Sequence, residues 1–403
     1  MKKILLALLV LSACKSEVKV EAPSYPNPAK EIIIDGLARP WSMAFLSETE
    51  VLLSEKDGDL LRIDLNTKQK HKIKGFPLDK TDSLTYRKAD YTKGTFPGGL
   101  EDGAKVTYNA GILEVLPDPD FKTNQQLYIS YTAKGEGGAT TKVIRAQLQN
   151  DSLVNVKQLL LALPYSHGLF HFGGGMTFGT DGKLYITVGE RLFNEDYQPE
   201  VPIAQDLSDR RGKIYRLNTD GSIPEDNPNF GPDAIPGLYA SGIRAAQGIT
   251  VEPQTGNIWF SEHGTNQGDE INLLKKGANY GWPVITTGTY RGNKFVPKKV
   301  DGVDYTDPVW FWKHTVAPTG LTFYTGDEFP DWKNNLIVPG LSRGSLWRIR
   351  IEGDTVKSME ELFLDDRERS RKAVMSPEGK LYILTEDLND RTNGKIIRIQ
   401  PQY

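Results

Sequence analysis

Asp181-Gly-Lys-Leu-Tyr-Ile-Thr-Val188 reads as a turn that runs into a strand. Asp181 can fold its carboxylate onto nearby backbone amides, and Gly182 accepts the positive φ that a tight hairpin turn demands. The residues from Leu184 to Val188 are β-branched, aromatic or aliphatic, so a strand follows the turn. The same unit returns as Glu55-Lys-Asp-Gly-Asp-Leu-Leu-Arg-Ile-Asp-Leu65, Thr255-Gly-Asn-Ile-Trp-Phe-Ser-Glu262 and Glu378-Gly-Lys-Leu-Tyr-Ile-Leu-Thr385. Further strands open on glycine, as in Gly212-Lys-Ile-Tyr-Arg-Leu217, Gly344-Ser-Leu-Trp-Arg-Ile-Arg-Ile351 and Gly394-Lys-Ile-Ile-Arg-Ile399. No stretch sustains a helical period. Many short antiparallel strands at loosely regular spacing predict an all-β chain, and radial repetition, which protects strand edges, makes it a β-propeller of roughly four to eight blades. The repeats are too uneven to count the blades.

Outward from this core, the N-terminus reads as an export signal. Lys2 and Lys3 precede an apolar run from Ile4 to Leu11, far short of the ~18 residues that span a bilayer. Leu11-Ser-Ala-Cys14 has the spacing of a bacterial lipoprotein signal, and Cys14 is the only cysteine in the chain. Residues 1–13 are therefore expected to be a signal peptide, 14–30 a charged, proline-bearing tether lipidated at Cys14, and 31–403 one propeller domain, exported and anchored to a bacterial membrane through its N-terminal lipid alone. A net charge of −3 points to no nucleic acid and no acidic membrane surface as partner.

Three segments interrupt the rhythm, at 71–110, 192–236 and 279–312. All are rich in Gly, Pro, Asn and Asp, and on a propeller they would build up one mouth of the central channel, where function is to be sought. Gly173, Gly174 and Gly175 remove three side chains beside His171, which makes either a sharp bend or room for backbone or a flat ligand against the imidazole. His167 and His171 are spaced like a zinc pair, but the glycines disfavour the helix that pairing requires. A structural loop and a catalytic His171 are the other readings. Glu190-Arg191 and Glu262-His263-Gly264 end related strands and would converge on one mouth. Arg367, Arg369 and Arg371 share a face if extended, where a bound anion would relieve their repulsion. Arg244 is a further cation placed just before a strand. Trp310, Trp312 and His314 offer aromatic faces suited to a pyranose.

Taken in order, His171-Phe-Gly-Gly, Gly242-Ile-Arg-x-x-Gln-Gly, Ser261-Glu-His-Gly-x-x-x-Gly-Asp-Glu-Ile-Asn, Gly277-Ala-Asn-Tyr-Gly-Trp-Pro and Arg369-x-Arg371 resemble the soluble aldose sugar dehydrogenases of the glucose/sorbosone dehydrogenase family. Any one motif is weak; their joint order, across about residues 32 to 400, is specific. The resemblance implies a six-bladed propeller with pyrroloquinoline quinone (PQQ) over the channel mouth and an aldose or related sugar oxidised to its lactone. In that scheme His171 is the general base that takes the anomeric proton as hydride passes to the quinone. A neutral imidazole suits this, since its pKa lies near working pH. Arg244 would stand beside the reacting carbonyl, where a cation stabilises developing charge. Arg369 and Arg371 would hold the cofactor carboxylates, with Glu190 and His263 also against the cofactor. Calcium (Ca2+) would take backbone carbonyls at Gly264 and Thr265, a ligand set suited to a hard cation. Asn109, Trp310 and Trp312 would meet the sugar.

The chain departs from the family pattern at four places. Asn109 stands for a glutamine, Gly175 for an arginine, Ala245 for an asparagine and Ser342 for a lysine that contacts the quinone. These departures support a second reading, a lipid-anchored propeller that binds carbohydrate or a partner without quinone; a metal-dependent lactonase on a similar propeller is a third. One cysteine cannot attach a c-type haem, so electrons would leave to an external acceptor, a quinone or a separate cytochrome.

Overall fold

The computed structural model describes residues 19–20, 27–88, 100–107, 109–191, 201–290 and 302–402. The expected signal peptide and Cys14 lie outside these residues. Six sheets stand around a central axis, antiparallel throughout except that Lys19–Val20 adds in parallel to the outer edge of the fifth. The first five blades run in chain order, with inner strands Pro40–Phe45, Ile112–Pro117, Gly173–Phe178, Ala246–Val251 and Thr322–Phe323. The sixth blade takes Ser370–Met375, Leu381–Thr385 and Gly394–Gln402 from the C-terminus and closes on Asn27–Leu37 from the N-terminus. Each inner strand packs against the next, and the last returns to the first. The closing strand begins at Asn27, inside the segment expected to be tether. It occupies a sheet edge, where Pro28 is tolerated because its missing N–H costs no ladder bond.

The turn at 180–183 forms as its residues dictate. Asp181 accepts from the Lys183 amide at 3.0 Å and from the Tyr185 hydroxyl at 2.9 Å, and Gly182 has φ +69°. Strand residues alternate between two blade interfaces because successive side chains leave opposite faces. Trp259 packs toward the fifth blade while Phe260 packs toward the third. Tyr128 and Ile129 divide the same way between the third and first blades. Both faces of a mid-blade strand are thus buried, so apolar residues stand at consecutive positions, as at Leu184, Tyr185 and Ile186.

Antiparallel order places the entry to every inner strand and the exit from every second strand at one end of the ring. This end is the mouth. The loop after Leu273 climbs to it, where Trp282 donates its amide to Gly242 and the Thr287 hydroxyl reaches Glu270 at 2.8 Å. Residues 218–237 do not join the mouth. They stay at the far end of the third blade, where Asp226 and Asn227 bind Arg216 at 2.7 and 2.8 Å.

Candidate active site

Entry and exit residues fill the mouth with charge. Arg39 enters the first blade and Lys56 leaves its second strand, while Arg369 and Arg371 enter the sixth blade and Glu386 leaves its second strand. All four cations converge on Glu386: Arg371 at 2.9 Å, Arg369 and Lys56 at 3.0 Å, and Arg39 at 3.5 Å. The side chains of Glu386 and Lys56 are wholly buried. Burial alone would raise the Glu386 carboxyl, but Arg371, then Lys56, Arg369 and Arg39, hold it well below the usual carboxylate range. Burial and then Arg371 push the Lys56 ammonium far down, and burial with Arg369 brings Arg371 down to about 10. Crowding that depresses cations in this way is relieved by negative charge. Arg371 Nε is buried and makes no hydrogen bond among the described residues. Trp41 underlies the cluster, 4.4 Å from the Arg371 guanidinium and 5.3 Å from Lys56 Nζ.

His171 faces the same cavity from the third blade. Its backbone is left-handed, with φ +56°, and its Nδ1 lies 2.9 Å from Glu190 Oε1. A proton on Nδ1 directed at this carboxylate makes Nε2 the basic nitrogen. From the fourth blade, Arg244 lies 5.0 Å from the Trp282 ring centre and donates to the His263 carbonyl at 3.2 Å. His263 Nε2 is 2.9 Å from the Pro318 carbonyl. Its pKa falls to about 4, chiefly through burial, with Arg244 and Arg371 adding and Asp269 opposing, so His263 is a neutral hydrogen-bonding wall. Behind it, Glu262 and Glu270 pair across adjacent strands, and burial first, then neighbouring carboxylate charge, lifts them to about 8 and about 7.

The cavity these groups face is open to the mouth and has a volume of about 390 Å³. Its walls include His171, Arg244, Arg369, Arg371 and His263, together with Asn109, Gly264 and Thr265, so eight residues singled out in the sequence surround one cavity. Arg39, Ser342, Phe170, Leu341 and Leu388 complete much of the remainder. Glu190, expected against the cofactor, stands behind His171 and is 1% exposed. Trp310 and Trp312, expected at the sugar, are elsewhere. Trp310 lies on the outer strand of the fourth blade beside a separate cleft, and Trp312 is buried 6.0 Å from the Trp347 ring. Arg367 turns to Glu361, at 3.1 Å. Gly175 packs in the seam between blades, where a Cβ would sit 3.0 Å from the Gln247 carbonyl, so it is not a gap in the cavity wall. Ala245 is also fully buried, and its amide donates to Glu262. Arg39, Lys56 and Glu386 escaped the sequence reading. The rule applied to Glu190-Arg191, polar residues at the end of a second strand, also picks out Glu55-Lys56 and Glu386-Asp387.

Among the described residues no three His, Cys, Asp or Glu side chains gather as a metal cage. Asp269 is committed to the backbone, accepting from Gly264 at 2.8 Å and from Val316 and Ala317 at 2.7 Å. A cation at this mouth would rest on backbone carbonyls and on a bound anion.

Fold and site together define a six-bladed β-propeller with a cation-rich, histidine-bearing cavity at one channel mouth. Residues 37–398 match the Glucose / Sorbosone dehydrogenase family, and the chain belongs to that family. Aldose sugar dehydrogenase YliI of Escherichia coli (strain K12) is 30% identical over 401 residues, covering 98% of either chain. Quinoprotein glucose dehydrogenase B of Acinetobacter calcoaceticus is 28% identical, over 89% of this chain and 86% of that one. A crystal structure of a glucose dehydrogenase superposes with a TM-score of 0.78 at 32% identity, covering 93% of this chain and all of the other.

Proposed function

We propose that this protein is a PQQ-dependent sugar oxidoreductase that converts an aldose to its lactone. The observation that carries the reading is the surplus of cations around Glu386 in the cavity that also holds the carboxylate-bound His171. PQQ is a flat tricarboxylate, and a mouth with buried guanidinium donors and a single carboxylate between four cations suits such an anion. Arg369, Arg371, Arg39 and Arg244 would hold it, with His263 as a neutral wall. When bound, the quinone supplies the two-electron acceptor.

The chain's own groups do the rest. His171 Nε2 takes the proton of the anomeric hydroxyl, and Glu190 keeps the ring in that tautomer and stabilises the imidazolium that forms. Arg244 places a fixed positive charge where negative charge develops. Asn109 can bond a sugar hydroxyl, and Phe170 and Leu388 present apolar surface to the ring's carbon face. Calcium would use the carbonyls of Gly264 and Thr265. Electrons leave to an external acceptor, and export with lipidation at Cys14 would tie the enzyme to a bacterial membrane. Small Ser342 in the cavity wall favours a second reading, a propeller that binds carbohydrate without quinone.

The two separate in one assay. Purified protein with calcium is given a panel of aldoses and a reducible dye, with and without PQQ. Dye reduction that requires both sugar and PQQ is expected. Sugar binding with no PQQ-dependent reduction for any aldose would establish the second reading instead.

A further inference from the structure

We infer that Arg191 is a positioning residue that holds the His171 backbone in place for proton transfer, a role that rests on the assignment of His171 as base. The side chain is wholly buried, although a guanidinium withdrawn from water is costly unless the structure gives it specific acceptors. It receives them from the segment that carries His171: Nη1 donates to the Phe170 carbonyl and Nη2 to the Gly168 carbonyl. The guanidinium carbon lies over the Phe172 ring, 3.3 Å from its centre. Arg191 therefore grips the residues on either side of His171 while Glu190, its neighbour in sequence, binds the imidazole.

The segment before Gly173 and the one after Val188 are pressed together too closely to adjust. A Cβ on Gly168 would lie 2.2 Å from the Arg191 carbonyl, and one on Gly189 would lie 2.0 Å from the His171 carbonyl. The Thr141 hydroxyl bonds the Phe172 carbonyl at 2.6 Å and fixes the far side of the loop. His171 itself keeps a left-handed backbone, φ +56°, a conformation that a non-glycine residue holds only when its surroundings enforce it. Arg191, also left-handed at φ +68°, supplies that enforcement from the end of the adjacent strand. The dipeptide Glu190-Arg191 thus sets both the direction of the ring and the position of the backbone beneath it.

The test compares the wild type with Arg191→Met and Arg191→Lys, each labelled with 15N-histidine. Only five histidines contribute signals, which makes the His171 ring resolvable. The wild type should show His171 as a single tautomer protonated at Nδ1. Arg191→Met should show exchange-broadened or mixed His171 signals in a folded protein. Its kcat should fall roughly 10- to 100-fold, as expected for a misplaced base, while KM and PQQ affinity stay within about threefold. Arg191→Lys, which retains charge but not the two-carbonyl fork, should fall between them. An unchanged His171 signal and unchanged kcat per folded molecule in Arg191→Met, or in Arg191→Lys if the first variant does not fold, would overturn the inference. Failure of the quinone reading looks different: wild-type protein without turnover, but with the His171 signal still sensitive to Arg191.

Discussion

Glu386 and Arg371 meet at 2.9 Å inside a pocket where three further cations reach the same carboxylate. Glu386 is the electrostatic centre of the mouth, and its loss tests that directly. Glu386→Gln should destabilise the protein at neutral pH by about 3–5 kcal/mol, since uncompensated buried cations remain, and an added divalent anion such as sulfate should restore part of the loss.

The pH dependence of that difference has a definite sign. The folded carboxyl is held below its ordinary value of 4.5, so its contribution is complete above that value and is lost as pH falls through the folded value. Urea unfolding from pH 6 to pH 3 should therefore show wild type and Glu386→Gln converging in acid. A gap that stays constant would remove Glu386 from this role.

His171 and Arg371 should separate chemistry from binding. His171→Gln is expected to lower turnover by ~10²-fold or more while leaving PQQ affinity nearly unchanged. Arg371→Met should do the reverse first, weakening PQQ by roughly 10- to 100-fold through loss of a charged hydrogen bond. Equilibrium binding and steady-state kinetics on both variants check the pair. Equal effects on both quantities would contradict the division.

Ser342 lines the cavity where a lysine is expected from the family pattern. Ser342→Lys should tighten PQQ by about tenfold in low salt, and added salt should erode the gain. A titration at two ionic strengths is sufficient to see it.

How far the site could be read in advance follows from where its residues lie in the chain. His171 and Glu190 bracket one hairpin, so glycine spacing and strand ends brought both to notice. The Glu386 cluster joins residues 39 and 56 to residues 369, 371 and 386, which are brought together only when Asn27–Leu37 pairs with Gly394–Gln402. No local pattern contains that closure. The turn-strand repeats showed a propeller, yet loops of unequal length hid the count of blades. Trp310 and Trp312 illustrate the other limit. Composition marks an aromatic pair, but only the packed blades show that Trp312 belongs to the seam with Trp347.

Trp312→Ala should accordingly cost about 3–5 kcal/mol of stability, as large core truncations do, with KM for sugar unaltered in the protein that folds. Thermal unfolding and initial-rate kinetics decide it. A raised KM without lost stability would return Trp312 to the substrate.

Whether the cationic mouth takes a quinone is tested by titrating the calcium-loaded protein with PQQ, followed by quinone absorbance and tryptophan fluorescence. A saturable transition at one equivalent, weakened in Arg371→Met and kept in His171→Gln, is the expected result. No saturable binding, or binding indifferent to Arg371, would contradict it.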